Sequence, residues 1–410
     1  MLKHLLPRLS GIGLLLSGAM LLIGVPDVHS QEAKPRLDIY GFAMLDMGYQ
    51  FKQNDPQWFD VVRPTKLPAF TEQFGKDGRW FASVRQSRFG VKSFVPTDLG
   101  ELRTIFEFEM FGVGVDAGQT TIRLRHAYGE LGQFGAGQYW SPFMDIDVFP
   151  NSVEYWGPSG MVFFRNVQVR WMPIQGDTRM TIALERPGAS GDGGVYSGFA
   201  ELSDVKGRFP YPDLSAEYRW GQPWGYIEAA GIVRYIKWDD LGKERFDLSG
   251  DAIGWGLNLS AGLTVGEMDR LHAQVVYGQG IQNYMNDATV DVGSKQVAIT
   301  DTSFGAAYDI GEPIPMVGVV LFYDHYWNKQ WSSTMGYSLL TMDNTDGQLA
   351  DAFKAGHYAL VNLLHYPAKD VMMGAEFQYG RREDKSDGWA VDDYRIQFTF
   401  KYNFSLSIGG

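Results

Sequence analysis

The chain has 410 residues, 14% of them aromatic, with 49 glycines, no cysteine and a formal net charge of −12. The lack of cysteine rules out disulfide staples and lipid attachment at an N-terminal cysteine. Basic residues are scattered rather than gathered, which excludes a nucleic-acid-binding patch, and beyond residue 30 polar residues or glycine break every apolar stretch, which excludes a helical membrane protein.

Residues 1–30 read as a signal peptide. Lys3 and Arg8 form a positive start, Ile12 to Val25 is apolar and uncharged, and Ser30 follows Val28 at the spacing of a cleavage site. The apolar run is shorter than the roughly 20 residues of a bilayer span, and Pro26 and Asp27 close it. The chain is therefore expected to be exported, with residues 31–410 forming a single domain.

The mature region alternates with period two, the mark of strands with two unlike faces. Leu102, Thr104, Phe106, Phe108 and Met110 oppose Glu101, Arg103, Glu107 and Glu109, and Ile122, Leu124 and Tyr128 oppose Thr121, Arg123 and Arg125. Leu214, Ala216, Tyr218 and Trp220 oppose Asp213, Ser215, Glu217 and Arg219; Trp255, Leu257, Leu259, Ala261 and Leu263 oppose glycine, Asn258 and Ser260. Val317 to Tyr326 is apolar on both faces. At the end Tyr394, Ile396, Phe398, Phe400, Tyr402 and Phe404 oppose Asp393, Arg395, Gln397, Thr399, Lys401 and Asn403 without a slip. A soluble sandwich or a membrane barrel could use any one such strand.

Connection lengths decide between them. Long gaps fall at Gln53 to Gly78, Gly112 to Gln119, Pro142 to Met161, Gly188 to Pro212, Asp239 to Gly250, Met285 to Gln296, Asn328 to Lys354 and Asp384 to Val391. Between them lie short ones rich in Gly and Pro, at Pro96 to Gly100, Gly132 to Gln133, Pro173 to Asp177, Gly221 to Pro223, Gly266 to Met268, Gly311 to Pro315 and Pro367 to Asp370. Strict alternation of long and short predicts an all-β, transmembrane up-and-down antiparallel barrel of about sixteen strands, with periplasmic turns, outer-membrane lipid around it and long loops outside.

On these strand phases Arg88, Arg103, Arg123, Arg125, Arg170, Arg179, Arg219, Arg234 and Arg395 point inward, and Arg165 joins them if a bulge shifts the phase. Glu107, Glu109, Glu185, Glu217 and Glu228 share that face as ion-pair partners. Guanidinium stays charged and grips carboxylate with two parallel hydrogen bonds, so the lumen is expected to favour small anionic solutes. The segment Pro142 to Met161 sets Asp145, Asp147 and Glu154 among Phe143, Met144, Ile146, Val148, Phe149, Tyr155 and Trp156. It is too apolar for a free surface loop and is expected to fold into the barrel as a constriction, with its acids across from the arginine wall.

No catalytic serine or zinc motif occurs, the histidines lack metal-ligand spacing, and the glycines from Gly188 to Gly194 are not followed by Lys-Ser or Lys-Thr. No cofactor or metal is expected, and a passive channel is favoured over a barrel enzyme such as an outer-membrane phospholipase.

Several segments together carry a family resemblance: Tyr40-Gly41-Phe42 through Asp46, Arg85-Gln86-Ser87-Arg88-Phe89-Gly90, Glu107-Phe108-Glu109 and Leu124-Arg125-His126-Ala127-Tyr128-Gly129. Gly137-Gln138-Tyr139-Trp140-Ser141-Pro142-Phe143-Met144-Asp145, Phe149-Pro150-Asn151 and Tyr155-Trp156-Gly157-Pro158 continue it. The chain resembles the DcaP-like family of trimeric outer-membrane porins, associated with dicarboxylates and related small anions. The resemblance implies a homotrimer, pore-facing roles for Arg88, Arg125 and Arg165, and an inward constriction loop from Asp145 to Pro158. Some members carry a coiled-coil extension before the barrel, whereas only a few residues follow Ser30 here. Outer-membrane barrels tend to finish on an aromatic residue; here Ser405 to Gly410 follow Phe404, so the barrel-assembly machinery is expected to read Phe404 internally.

Overall fold

A computed structural model describes residues 34–242, 247–295 and 311–409; the expected signal peptide lies outside the described residues. Sixteen antiparallel strands close into a barrel. They are β1 (Arg36–Gln50), β2 (Arg79–Ser83, resuming as Arg88–Thr97), β3 (Gly100–Phe111), β4 (Thr120–Leu131), β5 (Phe134–Trp140), β6 (Arg165–Ile174), β7 (Arg179–Glu185) and β8 (Asp213–Gln222). Next come β9 (Gly225–Asp240), β10 (Gly250–Val265), β11 (Asp269–Gln279), β12 (Pro315–Asn328), β13 (Trp331–Met342), β14 (Phe353–Ala368), β15 (Val371–Asp384) and β16 (Ala390–Gly409). Each strand pairs with its sequence neighbour, and β1 pairs with β16 from Arg36↔Gly409 to Gln50↔Arg395.

Closure follows from the solvent. Hydrocarbon cannot satisfy backbone N–H and C=O groups, so a spanning sheet must have no open edge. The two faces of β16 obey the same logic. Tyr394, Phe398, Tyr402, Phe404, Leu406 and Ile408 are exposed on the outside, the surface that lipid covers, while Asp393, Arg395, Gln397 and Thr399 are buried inside. The residues after Phe404 are not a tail: Ser405 to Gly409 continue the alternation and pair with Tyr40 to Arg36.

Two expectations need correction. The span Asn328 to Lys354 is not one long gap, because it contains β13; the long connection before β12 runs instead from residue 280 to 314. The inward residues of β13 are Ser332, Thr334, Gly336, Ser338, Leu340 and Met342, half of them small hydroxyls and the last two apolar, so the alternation is weak there. The strand expected at residues 297–310 lies outside the described residues. Second, β4 carries a bulge: its register against β3 shifts between Glu107↔His126 and Phe108↔Leu124, leaving Arg125 as the extra residue. A bulge turns every later side chain over. Arg125 and His126 are both buried inside, and Tyr128 lies on the inner face rather than with Ile122 and Leu124 outside.

The connection from residue 141 to 164 folds into the lumen. Its Phe143, Met144, Val148, Met161 and Val162 pack on Ile232, Val276, Met316, Val320, Phe322 and Leu340, all inward side chains of β9 to β13. This is why β12 is apolar on both faces: one side meets lipid and the other meets the loop. Each fully buried side chain of this size contributes about 2 kcal/mol, which suffices to hold the loop against the wall. The first connection, residues 51–78, also turns inward and buries Trp58, Val61, Val62 and Leu67.

Candidate functional site

The arc from β2 to β6 brings four arginines around two glutamates. Arg125 Nε donates to Glu107 Oε1 at 2.6 Å and its Nη1 donates to Glu109 Oε2 at 2.5 Å. Arg88 lies 3.8 Å from Glu107 and 3.7 Å from Glu109; Arg123 and Arg165 lie 3.5 Å and 3.6 Å from Glu109. Tyr40 Oη donates to Glu107 at 2.7 Å, and Tyr155 of the inward loop donates to Glu109. The bulge makes this possible, since it lets Arg125 reach both glutamates of β3 while Arg123 keeps its own inward direction. Four guanidinium groups against two carboxylates leave two positive charges in excess. Trp140 lies beneath two of them, 5.4 Å from Arg125 and 5.3 Å from Arg165.

Beside the cluster, on the loop side, opens a cavity of about 240 Å³ lined by Arg63, Arg123, Arg165, Tyr155, Trp156 and Asn286 among others. Nη1 of Arg165, Nη1 of Arg123 and Nε of Arg88 are buried and have no hydrogen-bond partner in the protein. A buried donor without a partner is costly, so these arginines are held chiefly by charge, through the longer contacts to Glu107 and Glu109. Arg63 was not foreseen as a site residue. It lies 4.1 Å from both the Trp58 and Trp156 rings and 2.8 Å from Asp287. The signal was present, because Trp58, Phe59, Val61 and Val62 make the first loop as unusually apolar as the third.

The loop acids do not face this cluster as expected. Asp145 accepts from Arg219 Nη2 at 2.5 Å, Tyr226 Oη at 2.8 Å and Ser260 Oγ at 2.6 Å, on β8, β9 and β10. Asp147 pairs with the same arginine at 2.5 Å, leaving its side chain half exposed to the lumen. Glu154 is buried, accepting from Val62 N at 3.0 Å, Tyr358 Oη at 3.1 Å and Gly157 N. Burial pushes its carboxyl up to about 7, against the opposing pull of the Gly157 amide and the Arg395 charge. Arg219 on the nearer β8 claims Asp145 and Asp147, and backbone N–H groups with Tyr358 claim Glu154.

The other inward arginines divide in the same way. Arg170, near the cluster, bonds Gln168 and lies over the rings of Tyr128 and Tyr139. Arg103 does not join the cluster. It is exposed towards the turn ends of β3 and β4, paired with Glu101 at 2.7 Å and Glu130 at 3.6 Å. Arg179 is paired with Glu217 and Glu228, while Arg234 is locked between Asp213 and Asp291. Arg395 is fully buried and does not line the open lumen. Among the described residues, no cluster of His, Asp or Glu is arranged to hold a metal ion.

A closed sixteen-strand barrel whose inner wall is charged, and whose third long loop folds inward beside that charge, is an outer-membrane channel of the porin class. The chain belongs to the DcaP outer membrane protein family, whose model matches residues 36–404. Its fold is similar to that of the outer membrane channel DcaP of Acinetobacter baumannii, with a TM-score of 0.73 and 21% identity over 93% of this chain and 100% of that one. It is also similar to an anion-selective porin from Comamonas acidovorans, with a TM-score of 0.59 and 12% identity over 90% of this chain and 100% of that one. A trimer form of OmpT from Vibrio cholerae aligns with a TM-score of 0.54 and 12% identity over 90% of this chain and 99% of that one. None of the curated proteins matches the chain.

Proposed function

We propose that this porin admits small anionic solutes, dicarboxylates and related carboxylates above all, by passive diffusion and without catalysis. The observation that carries the reading is the excess of guanidinium over carboxylate at the lumen wall, four arginines to two glutamates, with Arg88 and Arg123 a quarter exposed. In a narrow channel such charge is screened less than on an open surface, so it concentrates anions even though the whole chain is acidic. Solutes meet Arg63, Arg123 and Arg165 first and the Arg88–Arg125 centre next. Residues 1–30 serve as the cleaved export signal, residues 31–410 form one domain, and the working unit is a homotrimer inserted by the barrel-assembly machinery.

The test is single-channel recording of the purified protein in a potassium chloride gradient, followed by added succinate. An anion-selective reversal potential and concentration-dependent block by succinate support the reading. A cation-selective or unselective potential without block would make the protein a general porin instead.

A further inference from the structure

Under the inward loop, on the periplasmic side, a concavity of about 550 Å³ opens between the turns at residues 329–330 and 369–370. Lys329, Lys369 and Lys401 line it together with Asn151, Tyr366 and Asp370. Asn151 belongs to the inward loop and donates to Tyr366 Oη at 3.0 Å and Ser332 Oγ at 3.1 Å, so the roof of the concavity is the underside of the constriction. Lys401 Nζ stands 4.1 Å from the centre of the Phe42 ring, and Arg88 Cζ stands 5.2 Å from the same ring. One aromatic ring therefore neighbours a cation of the upper cluster and a cation of the lower concavity.

Among the described residues none of these three lysines forms an ion pair, not even with Asp370 on the same wall. Another concavity at this end of the barrel differs. Its Arg103 and Arg179 are each held by glutamates, at 2.7 Å and 3.2 Å, so its charge is already neutralised. Three free ammonium groups against one carboxylate leave the first concavity positive and open.

We infer that Lys329, Lys369 and Lys401 form a second anion-binding site on the exit path. It holds the carboxylate of a small organic anion after that anion leaves Arg88 and before it enters the periplasm. Ammonium groups suit this step: they act as point charges on flexible stems and impose no fork geometry, so a solute is held without being oriented and is readily released. The inference rests on the anion reading above, which supplies the solute.

The experiment reads succinate block from each side of a planar bilayer. Channel orientation is assigned with an impermeant maleimide on a Lys76→Cys reporter in the first loop, the parent chain having no cysteine. Two variants are compared with the parent: Lys329→Gln with Lys369→Gln on the exposed turns, and Lys401→Gln, with Lys401→Arg as the charge-keeping control. Both Gln variants are expected to weaken block from the periplasmic side by about 5-fold, the scale of a lost charge contact at a solvated site. Block from the extracellular side should stay at the parent value, and Lys401→Arg should restore the periplasmic-side block. Parent-like periplasmic block in both Gln variants overturns the exit site and leaves the anion reading standing. A parent channel that succinate blocks from neither side overturns both.

Discussion

Asp145 of the inward loop and Arg219 of β8 are joined at 2.5 Å, with both side chains almost wholly buried. The same guanidinium holds Glu228 at 2.7 Å, so Arg219 is the peg on which the start of the loop hangs. Changing Arg219 to Gln leaves the buried Asp145 without its counter-charge and Glu228 with Arg179 alone, a loss of about 3–5 kcal/mol. The loop should then detach from this arc, raising single-channel conductance and open-channel noise. A conductance histogram indistinguishable from the parent's would mean that the apolar packing alone holds the loop.

Selectivity should respond to Arg88 and Arg123 more cleanly than to Arg125. The first two are a quarter exposed and touch their glutamates only at 3.5–3.8 Å, whereas Arg125 is buried and hydrogen-bonded to both. The double change Arg88→Gln and Arg123→Gln is expected to fold normally and move the reversal potential towards cations. Arg125→Gln should lower the unfolding midpoint as well, because it removes the buried guanidinium that hydrogen-bonds both Glu107 and Glu109. Equal loss of stability in the two variants would contradict this division.

Glu154 gives the protein a pH dependence of defined sign. Its carboxyl rises on folding from 4.5 to about 7 through burial. The folded state therefore binds the proton more tightly than the unfolded chain. The resulting stability is complete below 4.5 and fades as pH rises through 7. Its ceiling is about 3 kcal/mol at this size of shift. The groups facing it are Arg395 of β16, Tyr358 of β14 and Glu376 of β15, whose carboxylate accepts from the Glu154 amide. Replacing Glu154 with Gln should flatten the fall of the gel-shift unfolding temperature between about pH 5 and pH 8. Parallel curves for parent and variant would remove Glu154 as the source.

Gly160 marks where the returning half of the loop meets the wall. A Cβ there would stand 2.1 Å from Leu339 O and 2.8 Å from Val319 O, backbone atoms of β13 and β12 that cannot move aside. Gly160→Val should displace this half of the loop and change conductance, while the barrel itself still resists detergent until heated. An unaltered current would show that the loop tolerates a shift of that size.

The barrel is legible in the sequence because its causes are local. Period two in β16 and the alternation of long and short connections depend on lipid outside, water inside and tight turns. The site is less legible because its causes are not local. One extra residue at Arg125 turns Tyr128 inward, and nothing in Leu124 to Tyr128 announces it. Which arginine claims Asp145 depends on where the loop's apolar side chains dock, a contact between residues 74 positions apart. β13 escapes notice for a related reason: the loop gives it an apolar partner on the side where water was expected.

The pairing of β1 with β16 joins Arg36 to Gly409, almost the full length of the chain, and it runs through all fifteen residues of β1. Such a contact lies at the extreme of contact order, where the loss of chain entropy comes before any reward. The cylinder cannot be finished while synthesis or export is under way, and until the last hairpin arrives the first strand offers a long adhesive edge to any other chain. An unpaired β1 is thus an aggregation hazard until β16 arrives, and a chain lacking residues 405–409 should mature slowly and aggregate even though its lumen is intact.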